Sequence, residues 1–147
     1  MVISGYSTDK DPFAENGRLM RFMVWWSDYD KGRTDRWFPR DFMMYERERN
    51  ALMWYYAIPD DAEIDCEFEV IDFSGGLYVS GVAIDGNTTD ESEVYDAIKK
   101  WVKDSDVFEL DEKPGHYDLF RVITPEKVQN VIGHNQLEIY VPIKLKG

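Results

Sequence analysis

The stretch Gln136-Leu137-Glu138-Ile139-Tyr140-Val141-Pro142-Ile143-Lys144 alternates apolar and polar positions with a period of two, which predicts a strand. Leu137, Ile139, Val141 and Ile143 fall on one face, and Glu138 and Tyr140 share the other. Residues 67–73 alternate in the same way, and Ser74-Gly75-Gly76 supplies turn residues before a second apolar run at 77–84, so the pair reads as a β-hairpin. On its second strand Tyr78, Ser80 and Val82 face one way, and Leu77, Val79, Gly81 and Ala83 the other. The period then lengthens. Val94, Ile98, Trp101 and Val102 recur at i, i+4, i+7 and i+8, the core stripe of a helix running to about Asp104. Thr88 and Glu91 have capping-box spacing at its start. Residues 117–123 predict a strand, Thr124-Pro125-Glu126 opens a turn or two of helix, and Gly133 ends it.

The first half of the chain is less regular. Residues 1–17 mix Gly, Ser, Asp and Asn with scattered apolar positions and predict a flexible start. The bulky run at 19–26 predicts a strand, and 28–36 a loop. Residues 37–45, with Pro39 among them, suit a short helix or an ordered loop. The ring-rich run at 52–58 predicts a strand with Trp54 and Tyr56 on one side and Tyr55 and Ala57 on the other.

Composition narrows the function. At 147 residues one domain is expected, spanning 18–147 behind the flexible start. Seventeen Lys and Arg against 29 Asp and Glu leave a net charge of -12, a field that repels nucleic-acid phosphates. Direct nucleic-acid binding is therefore not expected. A single cysteine, Cys66, and no export-type leader pattern point to the cytoplasm. No run approaches the roughly 20 apolar residues that span a bilayer. His116 and His134 lie apart without a cysteine pair, so neither a metal site nor a cofactor is expected. Aromatic content of 15%, with five Trp and nine Tyr, supplies rings suited to pockets as well as to cores.

From residue 67 onward the expected order is strand, glycine turn, strand, helix, strand, final strand. That order, with Ile71-Asp72-Phe73-Ser74-Gly75-Gly76-Leu77-Tyr78 early and Leu137-Glu138-Ile139-Tyr140-Val141-Pro142-Ile143-Lys144 at the end, resembles the gyrase-inhibitor-like (GyrI-like) family. Its members bind small molecules and include effector-binding domains of multidrug-responsive transcription activators. The resemblance covers about residues 67–145. It implies an α+β fold of two strand-helix-strand-strand (SHS2-type) modules, each an antiparallel curved sheet with a helix behind it. The ligand would lie in a groove between them, against aromatic rings, with an acid at Glu138 projecting in. Ser74 stands where the family usually has proline, residues 18–66 read as a diverged first half, and no helix-turn-helix is visible. A stand-alone binding protein is implied, monomeric or homodimeric.

The expected ligand is a hydrophobic or cationic aromatic small molecule held by Glu138, Tyr140 and Tyr78. Trp25, Trp26, Trp37, Trp54 and Tyr56 are candidate walls by aromatic density, while the helix stripe that includes Trp101 is expected to be core. The alternative the resemblance implies, from relatives that hydrolyse such substrates in an aromatic cage, is a hydrolase of cyclopropane-bearing alkylating compounds, in which Glu138 would orient or deprotonate water and Tyr140 hydrogen-bond a developing oxyanion. A third class, an acidic module that binds proteins, such as one that mimics DNA towards a DNA-binding enzyme, rests on the net charge and the name of the resembled family.

Overall fold

The uniformly bulky run at 19–26 folds as a helix, α1 (Arg18–Asp30), and not as the expected strand. Leu19 and Phe22 are its buried positions and Met23, Trp25, Trp26 and Tyr29 pack partly against the same core, while Arg21, Val24 and Asp28 are exposed. That is a helical stripe. The strand expectation failed because apolar side chains also occupy the solvent side, notably Val24, which masks the period. The computed structural model describes residues 1–5, 7–36, 39–46 and 48–147; Trp37 lies outside them.

Contacts divide the chain into two compact units, Met1–Phe73 and Ser74–Gly147. Both are α+β with antiparallel strands. In the first, α1 is joined by β1 (Val2–Ile3), β2 (Asp41–Glu46), β3 (Ala51–Tyr56) and β4 (Glu69–Val70), in the order β4-β1-β3-β2. Two expectations change here. Val2 and Ile3 are buried and pair with both β3 and β4, so the start of the chain is an interior strand and not a loose tail. Residues 41–46 form a strand in full register with β3, from Asp41 opposite Tyr56 to Glu46 opposite Ala51, where a short helix or loop was expected.

The second unit contains β5 (Leu77–Ile84), α2 (Thr88–Asp104), β6 (Phe108–Leu110), β7 (Leu119–Val122), α3 (Glu126–Ile132) and β8 (Gln136–Leu145). The final strand β8 is central, with β5 and β7 on either side and β6 pairing its last residues. The expected hairpin of residues 67–84 does not form. β4 pairs with β1, and β5 pairs along its whole length with β8, from Leu77 opposite Ile143 to Ile84 opposite Gln136. Eight residue pairs on the apolar β8 outweigh a local partner that is extended for only two exposed residues.

Helix α2 begins as expected but is capped by Asn87, one residue before Thr88; the Asn87 side chain accepts from Asp90 N–H, and Glu91 accepts from Gly86 N–H. Its stripe packs Val94, Ile98 and Val102 on Ala83, Ile139, Val141 and Ile143. Gly81 allows this approach, since a Cβ there would sit 2.8 Å from Val94 and 3.1 Å from Ile98. Trp101 departs from the expected core: it is half exposed and stacks on Phe108. The first unit thus runs β1-α1-β2-β3-β4, with β1 paired to β3 and β4, and the second runs β5-α2-β6-β7-α3-β8, with β5 paired to β8. Among the described residues, no helix is long and apolar enough to cross a membrane.

Candidate functional site

Because α2 takes the face of β8 that carries Ile139, Val141 and Ile143, Glu138 and Tyr140 are turned to the opposite face, as the period-two pattern requires. Register fixes their neighbours. Glu138 stands opposite Val82 on β5 and Arg121 on β7; Tyr140 stands opposite Ser80 and Leu119. Tyr140 Oη donates to Glu138 Oε2 at 2.5 Å. Tyr78, diagonal to Tyr140 across the ladder, meets its ring edge-on with centroids 6.3 Å apart. Glu138, Tyr140 and Tyr78 are therefore brought together on one half-buried face.

Two further residues join them. The turn Lys113-Pro114-Gly115, with Gly115 at φ 85°, brings His116 back onto Asp111, with Nδ1 2.6 Å from Asp111 Oδ2. Asp111 N–H in turn bonds Pro142 O on β8. The buried His116 ring packs edge-on against Tyr78, centroids 4.7 Å apart. The hydrogen bond from His116, helped by Lys113, holds the Asp111 carboxyl below its ordinary range, so it is an acceptor and His116 Nδ1 carries the donated hydrogen. In the neutral ring Nε2 is then a lone pair. Nε2 and Tyr78 Oη are both buried with no hydrogen-bond partner among the described residues. The sequence pattern does not pair His116 with Asp111, and His116 stands out there only as a possible metal ligand. The turn residues between Asp111 and His116 were the available signal.

Arg121 is buried beside Tyr140 and opposite Glu138, so the carboxylate does not face the site without a neighbouring positive charge. No local pattern points to this partner, which only strand register reveals.

The other candidate rings belong to the first unit. Tyr56 is fully buried, stacked on Trp26 at 5.5 Å, and its hydroxyl donates to Asp30 at 2.5 Å. Trp54 is buried in the same cluster and its Nε1–H donates to Asp41. Trp25 lies between Phe22 and Tyr29, stacked on both. These rings are spent largely on one another and on the core of α1 and β3. Arg33 adds to that core by donating to Ala57 O and pairing with Asp35.

Three phenols are shifted by their surroundings. Burial raises Tyr56 to about 12, reinforced by Asp30, and burial with the nearby charges of Asp118 and Asp111 raises Tyr78 to about 12. Tyr140 is raised further by burial and by its bond to Glu138, against the opposing pull of Arg121. A raised phenol binds its proton more tightly in the folded chain than in the unfolded one, so its contribution is intact below the ordinary value of 10.0 and is lost as pH climbs through the folded value. Stability to urea is expected to hold up to pH 10 and to fall between there and about 12, with a shallower fall in Tyr78→Phe. Denaturation midpoints followed with phenolate absorbance check this.

No family model matches the chain, and no curated protein matches it.

Proposed function

We propose that the chain is a GyrI-like binding protein for flat hydrophobic or cationic aromatic small molecules, which it takes up on the Glu138, Tyr140 and Tyr78 face. The observation that carries the reading is the convergence of a half-buried carboxylate and two edge-packed phenol rings on one side of β8. Ring faces attract a cation by roughly 0.5–2 kcal/mol each, and the carboxylate adds charge attraction. Arg121 tempers that attraction, which favours ligands bound chiefly through stacking and apolar burial over small, strongly hydrated cations. The reading includes two SHS2-type modules derived from a duplicated pair. Its support is the strand-helix-strand order that opens each unit, with β1 paired to β3 and β5 to β8, and α1 supplies the first module's helix.

A panel of planar cationic dyes is expected to raise the melting temperature of the chain in a concentration-dependent way. No shift across the panel would count against the reading.

One observation favours a second reading, hydrolysis of cyclopropane-bearing alkylating compounds on the same face. His116, held by Asp111 and packed edge-on on Tyr78, has an Nε2 that, like the Tyr78 hydroxyl, is buried without a partner among the described residues. A mass gain of one water in such a compound, abolished by His116→Gln, would favour this over sequestration.

A further inference from the structure

The other face of the second unit carries a separate opening. Helix α2 lies over β5, β6 and β8 and its backbone stays clear of β7, so the helix side of the sheet opens towards β7. A cavity of about 340 Å³ lies there. Its floor is apolar, from Phe120, Leu137 and Ile139, and its rim carries Glu91, Ser92, Tyr95 and Asp118.

The polar inventory of this rim is one-sided. The Tyr95 hydroxyl is committed as a donor to Asp118 Oδ2 at 2.6 Å, and the Ser92 hydroxyl donates to Thr88 O at 2.8 Å, one turn back in α2. Two first-turn N–H groups of the helix are already used, since Asp90 N–H bonds the Asn87 side chain and Glu91 N–H bonds Asn87 O. What the rim offers is acceptors: two carboxylates, each with more lone-pair sites than the single hydrogen bond it accepts here. Lys99 sits on the Tyr95 ring at 4.4 Å and is not among the residues lining the cavity.

We infer that this cavity is a second binding site, for an amphipathic amine: an apolar body on Phe120, Leu137 and Ile139 with a protonated ammonium head donating to Asp118 and Glu91. The volume falls within the range of small-molecule pockets, and an ammonium carries donors and no acceptor, the complement of the rim. An anion would meet two like charges, and a neutral alcohol would gain only the apolar contacts and a weaker hydrogen bond. The site is distinct from the Glu138 face, because Leu137 and Ile139 alternate with Glu138 and Tyr140 along β8, although the Asp118 charge also reaches Tyr78.

The test is a titration of the full chain with 4-phenylbutylammonium, followed by amide chemical shifts, with 4-phenylbutyrate and 4-phenylbutanol as controls. The ammonium is expected to saturate shifts at Ser92, Tyr95, Phe120 and Leu137. Asp118→Asn is expected to weaken it about tenfold, as loss of a charge-assisted hydrogen bond does. Ser92→Phe, at an exposed helix position where folding is not at stake, is expected to fill the opening and abolish the shifts. Glu138→Gln is expected to leave them unchanged, which separates this site from the dye site. Equal binding of the carboxylate or the alcohol, shifts confined to other residues, or no saturation would overturn the assignment.

Discussion

Replacing Phe22 by Ala is expected to lower the unfolding free energy by about 3–5 kcal/mol, the usual cost of emptying a buried aromatic position. Phe22 is fully buried in α1 and contacts Trp25, Trp54 and Phe68 with ring centroids 5.0–6.0 Å away. The same experiment separates a helix from a strand over this run. In a strand Phe22 and Val24 share a face, so both would be sensitive; in α1 they point apart and Val24 is 63% exposed. Val24→Lys is therefore expected to change stability by no more than about 0.5 kcal/mol. Urea denaturation of the two variants checks both values, and comparable losses in both would contradict the helix.

Gly76→Ala is expected to cost about 1–3 kcal/mol, the range for forcing an extra methyl into a packed site. A Cβ at Gly76 would lie 2.3 Å from Nε2 and 2.5 Å from Cε1 of His116. The imidazole has no easy retreat, because it is buried, bonded to Asp111 and packed on Tyr78. The cost thus comes from the contact and should shrink when the ring is removed. In a His116→Ala background, Gly76→Ala is expected to be nearly neutral, and the double-mutant cycle reads the coupling directly. An unchanged penalty in that background would mean that the glycine serves something other than the histidine.

These two residues mark the limits of what the chain discloses as a string. Residues 136–144 and 88–104 were legible because charged and apolar positions alternate cleanly at periods of two and 3.6. The structure keeps their faces, moving only the cap from Thr88 to Asn87 and the Trp101 ring outward. Residues 19–26 were not legible, since a nearly unbroken apolar run carries no period and burial alone distinguishes Phe22 from Val24. The hairpin at 67–84 was misjudged for another reason. Gly75 takes the positive φ that a turn needs, but long-range pairing of β5 with β8 decides the partner. The site divides in the same way. Glu138 and Tyr140 follow from a period of two, and Tyr78 from the alternation of its own strand. Arg121 requires the β7 register, and the His116–Asp111 pair requires a turn and the space left by Gly76.

The proposed function depends on Glu138 and its phenol partners acting as one surface. Calorimetric titration of a planar cationic dye that stabilises the chain, into the unaltered protein and into Glu138→Gln, tests it most directly. The substitution keeps the shape of the side chain and an oxygen able to accept from Tyr140 Oη while removing the charge. An affinity reduced about tenfold, in a variant that still unfolds cooperatively in the absence of dye, is the predicted result. Undiminished affinity in Glu138→Gln would contradict the account.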